Sequence, residues 1–199
     1  MGKIYESIEG KFADWILAQR LFFVATAPSG SDGHVNCSPK GGIDTFRIVG
    51  PRDVAYLDFI GSGAETIAHL RDNGRIVVMF CAFEGPPRIV RLHGHGAVAQ
   101  LGDPVFDELY DRLDFSGLEA AQTGARSIVS VTVERIADSC GYGVPLMEYE
   151  GARTQQLAWI QARLSKNGPN AIVDYSREKN AASIDGLQAI DAELLDKRS

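Results

Sequence analysis

Ser38 and Lys40 stand two residues apart in His34-Val35-Asn36-Cys37-Ser38-Pro39-Lys40. On an extended strand that spacing puts both side chains on one face. A hydroxyl beside an ammonium is chemistry for holding an anion. A second anion signal lies downstream, in Gly61-Ser62-Gly63-Ala64-Glu65-Thr66. A glycine turn feeding a helix start presents free backbone N–H groups together with the positive end of the helix dipole. Ser62 and Glu65 also have capping-box spacing, which describes an ordinary capped helix equally well. Arg91, between Val90 and Leu92, is a further candidate cation, and Tyr56, two residues before Asp58, offers an aromatic edge to a planar ring. Taken singly, each has a plainer reading: a solvated charge, a capped helix, a ring packed on a rim.

These residues need elements to position them. Ile4, Ile8, Phe12 and Ile16 recur every four residues, the stripe of an amphipathic N-terminal helix. Short apolar or alternating runs follow: 21–27, 34–38, 45–49, 53–59, 75–83, 88–100 and 127–136. Gly, Pro, Ser and Asp clusters such as Pro28-Ser29-Gly30-Ser31-Asp32-Gly33 separate them. Asp103 before Pro104 marks a helix whose stripe is Val105, Phe106, Leu109, Tyr110 and Leu113. Beyond about Gly141 the pattern turns helical, around Leu157, Ile160 and Leu164, then after Pro169. The expectation is a mainly β protein with flanking helices, a six-stranded antiparallel split β-barrel over 1–140 and a helical arm over 141–199.

Composition narrows the class. The net charge of -6 disfavours a broad nucleic-acid surface, and no aromatic platform interleaves the basic residues of 88–95. No apolar run approaches the ~20 residues of a membrane span. Three scattered cysteines with no Cys-x-x-Cys pair suit reduced thiols, so a cytoplasmic protein is expected. His93 and His95 share a strand face but lack further ligands at metal spacing, and no Gly-x-Ser-x-Gly elbow supports hydrolase chemistry.

In order and spacing, these segments resemble the pyridoxamine 5'-phosphate oxidase-like FMN-binding split-barrel family across about Phe22–Ile136. His34–Gly41 is similar to its flavin-contacting strand, Tyr56–Arg75 to its phosphate turn and helix, and Arg88–Gly96 to its long central strand. The resemblance implies a homodimer with FMN in clefts at the subunit interface and a small-molecule redox substrate. Lys40 matches the family's flavin-strand lysine, with Ser38 beside it. Tyr56 falls near the flavin, Ser62 and Thr66 at the FMN phosphate, and Arg91 on the same cleft if strand parity holds.

Two departures matter. Val35 stands where the family's flavin strand has its arginine, and Glu65 and Thr66 replace the basic pair of the phosphate helix. The C-terminal arm, with its segment 174–187 and with Arg177, Lys179, Lys197 and Arg198, lacks the tryptophan–arginine arrangement of the true oxidases. Pyridoxamine 5'-phosphate is therefore not the expected substrate. Asn180, Ser183 and Asp185 are candidates for shaping another pocket, or for a strap closing the barrel. A non-catalytic flavin-binding module, and the same barrel holding a deazaflavin or heme, stay open as alternatives.

Overall fold

Alternating apolar residues build the wall of a half-barrel. The computed structural model describes residues 2–118 and 121–196, without the side chains of Ile43 and Gln122; Lys197 and Arg198 lie outside the described residues. In chain order the elements are β1 (Ile4–Tyr5), α1 (Gly10–Leu17), β2 (Leu21–Thr26), β3 (Asn36–Gly41), β4 (Phe46–Gly50), β5 (Asp53–Phe59) and α2 (Glu65–Asn73). They continue with β6 (Arg75–Cys81), β7 (Ile89–Gln100), α3 (Pro104–Arg112), α4 (Ala121–Gly124) and β8 (Ala125–Ser139). Helices α5 (Gln155–Asn167), α6 (Ala171–Lys179) and α7 (Ala192–Asp196) complete them.

The strands form one antiparallel sheet in the order β3-β2-β6-β7-β8-β5-β4, with β1 added beside β8. Eight strands replace the expected six: each of the seven runs forms a strand, and β1, two residues long, hides in what reads as a helical stripe. Ile4 is accordingly in a strand and exposed, and helix α1 begins only at Gly10; Ile8, Phe12 and Ile16 are buried as expected.

Phe22 and Val24 of β2, Val54 and Tyr56 of β5, Val78 and Phe80 of β6, and Val90 and Leu92 of β7 meet in one core. Phe22 of β2 touches Phe46 of β4, ring centroids 5.3 Å apart, although β3 and β4 do not pair. The sheet has therefore curled until its two ends face each other, leaving the split between β3 and β4.

The helices cover what the wall leaves open. Asp103 caps α3 by accepting from the Val105 N–H at 2.9 Å, as the Asp-Pro pair predicts, although Val105 itself is exposed. Helix α2 ends on Gly74 at φ 73°, a left-handed conformation that glycine adopts without Cβ strain. The C-terminal chain packs back on the barrel: Ala189, Ile190 and Leu195 are buried against Ala64, Ile67 and Ala68 of the α2 region. No helix among the described residues is long and apolar enough to cross a membrane.

Candidate functional site

At the end of the barrel opposite α1, the split widens into an open cleft of about 350 Å³ between β3, the end of β5 and the start of α2. Pairing of β3 with β2 sets Ser38 opposite Val24 and Lys40 opposite Phe22. Paired residues share a face, so both point to the barrel interior and across the split. Ser38, Lys40 and Thr66 all line the cleft, as do Asp58, Gly61, Gly63, Glu65, Arg126 and Gln156.

Its electrostatic centre is Asp58, which is 3% exposed. Lys40 Nζ lies 2.5 Å from one carboxylate oxygen, and Arg126 Nε and Nη2 lie 3.0 and 2.6 Å from the other. Burial by itself would raise the Asp58 pKa, but Arg126 and then Lys40 outweigh it and lower it to about 2. Asp58 is thus ionised, and both cations are anchored to it. Glu65 supplies a second negative charge: its Oε2 would lie 2.6 Å from a Cβ at Gly63, so it folds back against the turn. The formal charges of Lys40 and Arg126 are matched by those of Asp58 and Glu65.

A chain of hydrogen-bonded hydroxyl, amide and imidazole groups forms the floor. Ser38 Oγ donates to Asn36 Oδ1 at 2.9 Å, and Asn36 Nδ2 donates to Thr66 Oγ1 at 3.0 Å. The same amide reaches Thr26 Oγ1 at 3.4 Å, which lies 3.0 Å from Nδ1 of the fully buried His69. Asn36 therefore fixes both cleft hydroxyls, accepting the Ser38 proton and leaving the Thr66 proton free among the described residues.

The glycine turn is shaped differently from the capping box expected. The N-cap of α2 is Ala64, no side chain caps the helix, and Ser62 is exposed beside it. The reason lies in the turn's carbonyls, which side chains from distant segments hold. Gln156 Nε2 donates to Ile60 O at 2.7 Å, Asn180 Nδ2 to Gly61 O at 2.8 Å, and Arg126 Nη1 to Gly63 O at 2.7 Å.

Two expected site residues are elsewhere. Tyr56 is not on a rim. It is fully buried in the barrel core, edge-on to Phe22 at 5.4 Å, because its parity on β5 is that of Val54. Its hydroxyl has no partner among the described residues, and burial, with the charge of Asp58, pushes its pKa well up. Arg91 pairs with Met79 and Ala137, so it takes the outer face of the sheet, opposite the inward Val90 and Leu92. There it donates to Ser139 Oγ at 3.1 Å, and within one chain it does not reach the Lys40 side.

Arg126, Asn36 and Gln156 were missed. Arg126 had a signal: an arginine in the apolar run Ala125–Val133 is buried only if paired. Asn36 shared a face with Ser38, but nothing in the sequence said which groups it would bridge. Gln156 comes from a helix whose docking onto the turn no local pattern encodes. Of the tail candidates, Asn180 is fully buried on the glycine turn, Asp185 holds the His34 N–H at 2.8 Å, and Ser183 braces its own turn.

Comparison with known proteins follows the same outline. The family profile described as pyridoxamine 5'-phosphate oxidase matches residues 8–140. A pyridoxamine 5'-phosphate oxidase family protein of Aspergillus flavus, ustO, is 38% identical over 203 aligned positions, covering 97% of this chain and 80% of that protein. Among solved structures, HupZ of group A Streptococcus superposes with a TM-score of 0.51 at 22% identity, over 66% of this chain and 99% of that one. An FMN-binding protein of Syntrophomonas wolfei gives a TM-score of 0.44 at 17% identity, over 64% of this chain and 78% of that one.

Proposed function

We propose, since this chain belongs to the pyridoxamine 5'-phosphate oxidase family, that it is an FMN-binding protein serving as a flavin-dependent oxidoreductase on a small molecule. One observation carries this reading: Ser38, Lys40 and Thr66 converge on a glycine turn and helix start whose amides are unpartnered. Among the described residues no group accepts from the N–H of Gly61, Ser62, Gly63 or Ala64. That donor set fits the phosphate end of FMN. Thr66, whose oxygen accepts from Asn36 and whose proton is free, would supply a hydroxyl donor, Ser38 a second once its proton turns from Asn36 to the phosphate, Lys40 the cation, and the turn its amides. Flavin, when bound, supplies hydride or electron transfer, and the protein supplies binding and orientation. Asn36 orients the Thr66 hydroxyl by donating to its oxygen, and ionised Asp58 fixes Lys40 at the cleft wall.

Protein purified without added cofactor should carry the visible absorption of flavin, released as FMN on denaturation. A Soret band, or a flavin-free protein that does not take up FMN, overturns the assignment. Reduction of the bound flavin by a nicotinamide nucleotide, with turnover on an acceptor, distinguishes an enzyme from a binding module.

We further propose a homodimer. The outer face of β2 and β6 carries Phe23, Ala25, Val77 and Met79, half-buried in one chain, with Val35 beside them 76% exposed. Such a face, next to an unpaired strand edge, is suited to cover by a second copy. Light scattering at micromolar concentration should exceed the chain mass of 21.6 kDa. A flavin-loaded species of that mass would falsify the dimer.

A further inference from the structure

The C-terminal arm touches the cleft in an unusual way. It contributes few side chains to the lining, but it holds the backbone of the turn. Gln156 of α5 binds the carbonyl of Ile60 at 2.7 Å. Asn180, at the end of α6, binds those of Gly61 at 2.8 Å and Ser62 at 3.4 Å. Arg126 of β8 binds that of Gly63 at 2.7 Å. Four consecutive carbonyls are thus engaged, three of them by the arm.

A trans peptide is planar, with its N–H pointing opposite to its C=O. Fixing the carbonyls of residues 60–63 therefore fixes the N–H directions of Gly61, Ser62, Gly63 and Ala64. None of these four has an acceptor among the described residues. Left alone, a turn rich in glycine would sample many peptide orientations. Some of those would present a carbonyl oxygen, which repels an anion.

The arm is tied down independently of any ligand. Asn180 is fully buried, its own N–H bonds Ser176 O at 2.8 Å, and its carbonyl accepts from Ile190 at 2.9 Å. Asp185 then fastens the same hairpin to the His34 N–H at 2.8 Å.

We propose that Asn180 and Gln156 are positioning residues for the phosphate of the bound ligand. They preset the amides of residues 61–64 as an anion nest, replacing the cations that the helix lacks at Glu65 and Thr66. This rests on the FMN reading and adds to it the part of the chain that builds the phosphate subsite. The arm acts on the phosphate through the backbone without touching it.

The test is the preference for FMN over riboflavin, read by quenching of flavin fluorescence in the full-length chain. Riboflavin shares the ring and lacks the phosphate. Asn180→Leu keeps the approximate shape and removes the donor. It should weaken FMN about tenfold, the scale of charge-assisted hydrogen bonds, and leave riboflavin within about twofold. Gln156→Met, on the exposed side of α5, should move the same ratio by less, and it decides the matter if Asn180→Leu fails to fold.

Equal weakening of both flavins, or no change in either, overturns the proposal. A wild-type protein that binds riboflavin as tightly as FMN overturns it too, while leaving flavin binding intact. If the wild type binds neither flavin, the FMN reading fails and inorganic phosphate becomes the probe. Phosphate should raise the melting temperature of the wild type and not of Asn180→Leu; the same response in both, or none in either, overturns the nest.

Discussion

The two ends of β8 close the barrel by opposite means. At its last residues, Asp138 accepts from the Tyr5 hydroxyl at 2.6 Å, and Tyr5 stacks on Phe12 with centroids 4.3 Å apart. Arg88 lies over the rings of Tyr5, Phe12 and Trp15 and reaches Asp138 at 3.1 Å. Phe12 and Ile16 then plug the core. At its first residues, Arg126 holds a buried carboxylate and a backbone carbonyl, and the arm holds three more carbonyls. The first end satisfies its polar groups within itself and buries apolar surface. The second directs its side-chain donors to carbonyls and, among the described residues, leaves the amides of residues 61–64 without acceptors. A closure that leaves one sign of dipole unpaired is a site; a closure that pairs everything is a lid.

If this contrast holds, the ends should respond differently to substitution. The largest effect is expected at Arg126. Arg126→Met leaves Asp58 buried with Lys40 as its remaining cation, and removing one partner of a buried ion pair costs about 3–5 kcal/mol. Urea unfolding at neutral pH measures it, and a loss under about 1 kcal/mol would mean the pair is solvated after all. Acid should unpick the same pair. The Asp58 pKa is lowered from 3.8 to about 2 in the folded chain. Its contribution is therefore complete above the unfolded value and is lost as pH falls through the folded one. The wild type should lose on the order of 2 kcal/mol between about pH 4 and 2 through this group, and Arg126→Met much less.

Phe12→Ala comes next. Removing a buried ring costs about 3 kcal/mol or more, yet flavin affinity of the folded fraction should not change, because Phe12 touches nothing at the cleft end. A drop in affinity matching the drop in stability would show that the two closures are coupled and that the contrast between them is only geometric.

The wall of the barrel was legible because alternation is local. Val90 and Leu92 share one face, opposite to Arg91, by strand period alone, and Asp103-Pro104 announces α3 by the chemistry of its own first turn. Within the site, Ser38 and Lys40 were legible for the same reason. What could not be read was which way a face points once the sheet curls. Tyr56 and Asp58 share a face, as their spacing says, but the barrel puts Tyr56 in the core and Asp58 at its mouth. Arg91 needed the register with Met79 to be placed outside. The turn was misread as a capping box because its carbonyls are bound by residues 63 to 119 positions away in sequence, long-range contacts that no local pattern records.

The smallest effect expected is also the sharpest. Glu65 is acidic in the first turn of α2, where a negative charge favours the helix dipole, and its carboxylate lies against Gly63. Glu65→Gln should therefore cost the free protein a few tenths of a kcal/mol. If a phosphate sits on the amides of residues 61–64, the same carboxylate repels it, and neutralising Glu65 must strengthen FMN. For a partly solvated pair of charges the gain is about 1 kcal/mol, or roughly fivefold in affinity. It should shrink as salt is added, because the repulsion is screened. Riboflavin, without the charge, should bind the variant and the wild type alike. The two signs are opposed: slightly lower melting temperature without ligand, tighter FMN with it. Unchanged or weaker FMN binding in Glu65→Gln would place the phosphate away from the turn, and the polar end of the barrel would then be, like the other, a closure and nothing more.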